Sequence, residues 1–184
     1  GDFVECGVWR GGNSILAKCL FEQLSSNKSV WMFDTFEGMT APTEYDVKAL
    51  DKVHAGKKFE DSQKDTHNDW CYASLEDVKN NCLNSNLKLD RLNFVKGDVT
   101  ETLTIKENIP TEIAILRLDT DWYESTKFEL EVLYPILSVG GVLIIDDYGS
   151  WEGAKKAVDE YFSAFDYKPL FNVIDHTGRS AIKL

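Results

Sequence analysis

Short apolar runs of four to seven residues alternate along the chain with longer stretches whose apolar positions recur every three or four residues. That alternation predicts βαβ units and a mostly parallel sheet. The runs at 3–7, 30–34, 92–96, 113–119, 142–146, 170–174 and 181–184 predict seven strands. Helical spacing of Leu16, Cys19 and Leu20 predicts a crossover helix over 13–23, and Phe128, Val132 and Ile136 mark another. Ala154, Ala157, Val158, Tyr161 and Phe162 mark a third, and 74–82 a fourth. The fold class is therefore α/β: one doubly wound domain over residues 1–184, with a seven-stranded, mostly parallel sheet. Residues 41–69 break the pattern. They are polar, charged and poorly periodic, longer than a typical βα connection, and read as a lid over a site or a solvated insertion.

Composition narrows the partners. A formal charge of −11 argues against a nucleic-acid backbone and for a small molecule. No stretch reaches the roughly 20 apolar residues of a membrane span, so no membrane association is expected. Cys6, Cys19, Cys71 and Cys82 lack CxxC spacing, and Cys6 and Cys19 sit in apolar runs, which suits reduced thiols and a cytoplasmic location. The N-terminus shows no basic segment followed by a long apolar one, and no targeting signal is expected from it.

Ligands of open α/β sheets bind beyond the carboxyl ends of the strands. Acidic residues collect there: Glu5 and Gly7 close the first run, Asp34 the second, Asp98 follows the third, Asp119 closes the fourth, and Asp146-Asp147 the fifth. The turn Gly7-Val8-Trp9-Arg10-Gly11-Gly12 allows a tight bend and a close backbone approach to a ligand. It lacks the GxGxxG spacing of a dinucleotide fingerprint, so a smaller nucleoside ligand fits better. Asp34 reads as the acceptor of ribose hydroxyls or as a turn or cap carboxylate. Asp119 and Asp146 end two strands joined by one crossover helix, so these carboxylates and Asp147 are expected to converge. Three such acids repel unless a cation lies between them, and hard oxygen donors favour Mg²⁺ over Zn²⁺. The competing reading makes Asp146-Asp147 and Asp119 or Asp121 helix caps. Arg117, two residues before Asp119 on the same strand face, is expected to neutralise nearby acids or to form a buried ion pair. His54 and His67 read as exposed polar residues or as proton carriers under a closed lid.

The segments GDFVECGVWRGG, VWMFDTFEGM, LRLDTDWYESTKFELEVLYPILSVGG and VLIIDDYGSWEGAKKAVDEYF occur in this order and together resemble the macrocin O-methyltransferase (TylF-type) family. The resemblance implies a Rossmann-like class I methyltransferase fold with one reversed strand at the edge, 181–184, and S-adenosylmethionine at the strand ends. It implies that Glu5 and Gly7 line the methionine portion, that Asp34 holds the ribose, that Asp98 and Val99 border the adenine, and that Phe36 walls the same ligand. Asp119, Asp146 and Asp147 match the family's Mg²⁺ ligands. Asp119 also matches its base, with Asp121 in reserve because a metal-bound carboxylate is a weak base. The implied reaction is Mg²⁺-assisted methyl transfer to a small-molecule hydroxyl, such as a natural-product sugar. A homodimer is the family-level expectation. Family members carry an upstream segment over the active site, so a missing upstream segment is expected to affect acceptor binding, oligomer contacts and activity. Other functions stay open: a nicotinamide-dependent oxidoreductase, a metal-using DxD enzyme built on Asp119-Thr120-Asp121, and a non-catalytic S-adenosylmethionine-binding module.

Overall fold

The computed structural model describes residues 1–166 and 168–184. Among these, β1 (Asp2–Cys6), β2 (Val30–Asp34), β3 (Leu92–Lys96), β4 (Ile113–Leu118), β5 (Leu137–Ile145), β6 (Asn172–Val173) and β7 (Arg179–Ile182) form one sheet in the order β3-β2-β1-β4-β5-β7-β6. The first five strands run parallel, and β7 pairs antiparallel with both β5 and β6. Strand order reverses between β1 and β4, which puts the ligand crevice there.

Side chains alternate between two helix layers because strand side chains have a period of two. Val4, Cys6, Phe33, Leu116 and Leu118 face Leu130 and Leu133 of α5 (Tyr123–Leu133) and Val158 and Phe162 of α6 (Glu152–Ser163). Phe3, Val30 and Met32 face Ala17 of α1 (Gly12–Gln23) and Val78 and Cys82 of α3 (Leu75–Asn84). Helix α3 starts where the sequence carries a capping box: Ser74 Oγ accepts from the Asp77 amide and Asp77 Oδ2 from the Ser74 amide, both at 3.1 Å.

Most strand ends lie within one residue of those predicted, and the larger departures fall in β5, β6 and β7. β5 begins at Leu137 rather than 142, because Gly140 takes φ 80 inside the strand and the β4–β5 register shifts between Ile113 and Ile115. β6 shrinks to two exposed residues within 170–174, since Leu170 and Ile174 point into solvent. β7 starts at Arg179, two residues ahead of the predicted run.

Residues 41–69 fold down onto the sheet's carboxyl edge and carry the short α2 (Gly56–Asp61). The fully buried Asp46 anchors them: Oδ2 accepts from the Thr43 amide (2.6 Å) and hydroxyl (2.9 Å), and Oδ1 accepts from the Tyr123 amide at the start of α5 (2.8 Å). Ala55 packs with Trp122, Trp151 and Ala154, beside Trp70. Asp46→Ala leaves that helix-terminal N–H without its partner and is expected to lower stability by about 2–3 kcal/mol. Limited proteolysis should then cut within 41–69 before any other site, and equal resistance of the variant and wild type would count against this anchoring role. The four cysteines are free, and among the described residues no helix is long and apolar enough to cross a membrane.

Candidate active site

The sheet ladder continues one residue beyond several strands. Gly7 N donates to Phe33 O (2.9 Å), Asp119 N to Cys6 O (2.8 Å), Asp146 N to Leu118 O (2.9 Å) and Gly97 N to Asp34 O (3.0 Å). Gly7, Asp119 and Asp146 are thereby held in register along one edge. Above them opens a cleft of about 750 Å³, mouth included, bordered by Gly7, Trp9, Asp34, Asp98, Val99 and Asp119, and by Asp121 on its other side. Its lining, a glycine turn beside strand-end carboxylates where strand order reverses, suits a nucleoside ligand.

Each cofactor-side residue has a defined place. Gly7 sits at φ 80, and a Cβ there would lie 1.9 Å from the Asp119 carbonyl oxygen, so the two backbones meet with no room for a side chain. Asp34 ties this turn down: Oδ2 accepts from the amides of Val8 (2.7 Å) and Trp9 (3.0 Å), and Oδ1 from Phe36 (2.6 Å). Burial raises its pKa, against the lowering effect of those amides. The turn-carboxylate role is thus realised, and the Asp34 carboxylate still borders the cleft. Asp98 caps the short α4 (Val99–Thr102) through the Thr100 amide at 2.8 Å. Glu5 and Phe36 lie behind the cleft wall. Glu5 is 1% exposed and accepts from Asn13 Nδ2 (3.1 Å), Ser14 Oγ (2.5 Å) and Arg117 (3.0 Å). Phe36 is 2% exposed and packs with Val8 and Met32.

The acids on the other side converge. Asp119, Asp146 and Asp147 each present an oxygen within 4.8 Å of the others. The capping alternative is not realised: α5 and α6 begin at Trp122 and Trp151 without side-chain caps, and the first amide of α5 goes to Asp46. Arg117 donates to Asp119 Oδ2 (2.6 Å), Asp146 Oδ1 (2.8 Å) and Glu5 Oε1 (3.0 Å). Asp147 Oδ2 is buried with no hydrogen-bond partner among the described residues, an arrangement that a cation would satisfy. Burial pushes Asp119 up to about 8, with Asp147 and Asp146 adding repulsion against the opposing pull of Arg117. Asp121, at a left-handed φ of 67, is pushed up to about 7, again chiefly by burial. Asp147 is raised well above the carboxylate range by burial and the Asp121 charge. Hard carboxylate oxygens crowded in this way fit a divalent cation of the Mg²⁺ type.

The histidines stand apart from these acids. His54 Nε2 contacts Thr43 O (2.8 Å) within the insertion, and His67 pairs with Asp69 (2.9 Å) and stacks on Tyr72. Neither borders the cleft. Three features escape sequence reasoning. Trp9 lies at the cleft mouth, 52% exposed and at φ 47. The fully buried Glu129, whose pKa burial raises strongly, receives the Thr120 hydroxyl (3.0 Å) behind the acid loop. The Asn13-Ser14 pair braces Glu5 from α1, and polar residues directly after the glycine turn were the available signal for it.

The model of the macrocin O-methyltransferase (TylF) family matches residues 1–180. Demethyldecarbamoylnovobiocin O-methyltransferase of Streptomyces niveus is 36% identical over 183 residues, which is 97% of this chain and 64% of that protein. The 8-demethyl-8-(2,3-dimethoxy-alpha-L-rhamnosyl)-tetracenomycin-C 4'-O-methyltransferase of Streptomyces olivaceus is 36% identical over 180 residues, again 97% and 64%. The chain thus spans a little under two thirds of the length of these relatives. Among solved structures, the O-methyltransferase NovP superposes with a TM-score of 0.84 at 34% identity, covering 100% of this chain and 72% of NovP. The calicheamicin methyltransferase CalS11 shares the fold at TM-score 0.74 and 21% identity, over 99% of this chain and 72% of its own. The fold is that of the class I methyltransferases, and the chain belongs to the macrocin O-methyltransferase (TylF) family.

Proposed function

We propose that this chain carries the catalytic domain of a divalent-metal-assisted O-methyltransferase, moving a methyl group from S-adenosylmethionine to a hydroxyl of a small molecule. The observation that carries this reading is the cleft in which a glycine turn and Asp34 meet Asp119, whose carboxylate converges with those of Asp146 and Asp147. When bound, S-adenosylmethionine supplies an electrophilic methyl group and the cation lowers the pKa of the acceptor hydroxyl.

The chain's own residues position, exclude water and accept the proton. Gly7 lets the donor approach the backbone beside Asp119, Asp34 offers its remaining acceptor capacity to ribose hydroxyls, and Asp98 and Val99 border the base. Asp119, Asp146 and Asp147 hold the cation. Proton acceptance fits Asp121 better than Asp119, because Arg117 already donates to Asp119 Oδ2 and Asp119 would also serve as a cation ligand, whereas Asp121 borders the cleft from a left-handed turn. Residues 41–69 act as the acceptor-side cover, which the docking of Asp46 and the packing of Ala55 against Trp122 and Trp151 support. The Streptomyces olivaceus relative is named for 4'-O-methylation of a rhamnosyl compound, which supports a glycosidic hydroxyl as acceptor.

Calorimetric titration with S-adenosylmethionine tests the donor half. Wild type is expected to bind, and Asp34→Ala to bind about tenfold or more weakly through loss of ribose contacts and of the turn they share. Label transfer from methyl-labelled S-adenosylmethionine to free sugar hydroxyls of glycosides tests the other half. Binding of NADH in place of S-adenosylmethionine would overturn the reading.

A further inference from the structure

Arg117 occupies the centre of the acid cluster. It lies on β4 directly across from Glu5 of β1 and, on its other side, from Ile144 of β5, two residues before Asp146. Its fork therefore spans three adjacent strands, reaching Glu5, Asp119 and Asp146. The Arg117 side chain is 13% exposed and Glu5 2%, and Glu5 is itself clamped by Asn13 and Ser14. The guanidinium is fixed from behind and cannot swing away from the two aspartates. It takes one oxygen of Asp119 and one of Asp146, makes no hydrogen bond to Asp147, and leaves Asp147 Oδ2 without a donor.

We propose that Arg117 is the resident counter-ion of the metal cage: it holds Asp119 and Asp146 in ligating position when no metal is bound, and it weakens the cage's hold on the metal so that the ion exchanges readily. The proposal rests on the metal reading above. One guanidinium facing Glu5 and three ligating aspartates leaves the cluster negative, so the cage still attracts a divalent cation. The same guanidinium draws electron density from two of the three ligands and repels the incoming charge. Two nitrogens held in one rigid plane reach acids on both sides of β4, so arginine rather than lysine suits the position.

The test measures Mg²⁺ binding by calorimetry, and Tm in EDTA and in saturating Mg²⁺, for wild type, Arg117→Lys and the double variant Glu5→Gln/Arg117→Met. The double variant removes Glu5 with its partner, so Glu5 is not left as an unpaired buried charge. Its Mg²⁺ affinity is expected to rise by about threefold or more, because the lost guanidinium touches two ligating aspartates whereas the lost Glu5 carboxylate, of opposite sign, touches none. Its Tm falls in EDTA and recovers in Mg²⁺, giving a larger metal-induced rise than wild type. If it folds only with Mg²⁺ present, the counter-ion role is upheld in its strongest form. Arg117→Lys keeps the charge and is expected to stay within about threefold of wild-type affinity while its Tm in EDTA falls. A double variant that binds Mg²⁺ no more tightly than wild type, or a tenfold weakening in Arg117→Lys, overturns the proposal and leaves the metal site standing. A wild type that binds no divalent cation overturns the metal reading and this inference with it.

Discussion

Asp147→Asn is expected to abolish divalent-cation binding and to reduce methyl transfer by at least about a thousandfold, while S-adenosylmethionine affinity stays within a few-fold of wild type. The substitution keeps the shape of the side chain and removes one anionic ligand. Asp147 is the member of the cluster that Arg117 does not reach, and its buried Oδ2 lacks a donor. It therefore has no cationic partner from Arg117 within the cluster. The same substitution is expected to raise Tm in the metal-free protein, because it deletes a buried carboxylate held among Asp119, Asp121 and Asp146. Higher stability with lost activity is a combination that a damaged fold does not produce. Asp121→Asn separates the two roles: cation and donor binding persist, and turnover falls by about a hundredfold or more through loss of the base. Calorimetry, thermal melts and single-turnover label transfer measure all three quantities. Mg²⁺-independent turnover in Asp147→Asn would remove this residue from the metal set.

What the sequence made legible follows from burial. β1, β2, β4 and the end of β5 are covered on both faces, so their apolar runs are nearly continuous and end where an acid or glycine begins. The placement of Asp34, Asp119, Asp146 and Asp147 at one edge comes directly from that punctuation. β6 was overestimated because Leu170, Val173 and Ile174 are apolar yet exposed, so hydropathy there does not report burial. The Gly140-Gly141 pair hid the first half of β5 by reading as a break rather than a bulge.

The site's finer assignments depend on contacts distant in sequence. Glu5 stands at the expected strand end, and the partners that hold its carboxylate there, Ser14 of α1 and Arg117 of β4, are not adjacent to it in sequence. Residues 41–69 have no period of their own because their order comes from outside: Asp46 on the α5 terminus, Lys48 bridged to Trp151, and the tryptophans above the strand ends. A single side chain such as Asp46 leaves no periodic trace, so this docking could be seen only in three dimensions.

Gly7→Ala is the second change with a large expected effect, and Gly140→Ala is its control. Both glycines have φ 80, so alanine pays the left-handed backbone cost at either position, about 1 kcal/mol. At Gly140 nothing lies within 4 Å of the added Cβ, and the loss should stop there, a Tm decrease of roughly 2–4 °C. At Gly7 the Cβ would lie 1.9 Å from the Asp119 carbonyl oxygen and 2.5 Å from its carbon, both backbone atoms on a neighbouring strand. Relief requires β1 and β4 to part where Asp119 N donates to Cys6 O at 2.8 Å, so a ladder bond is lost with the clash. The expected destabilisation is about 3 kcal/mol or more, a Tm decrease of roughly 6–12 °C. Movement of Asp119 also withdraws one cation ligand from the edge of the donor cleft, so calorimetry should show both S-adenosylmethionine and Mg²⁺ binding weakened together, which neither Asp34→Ala nor Asp147→Asn is expected to do. Equal Tm losses in the two glycine variants would mean that φ alone governs Gly7, and that the meeting of these two backbones does not hold the donor and metal halves of the site together.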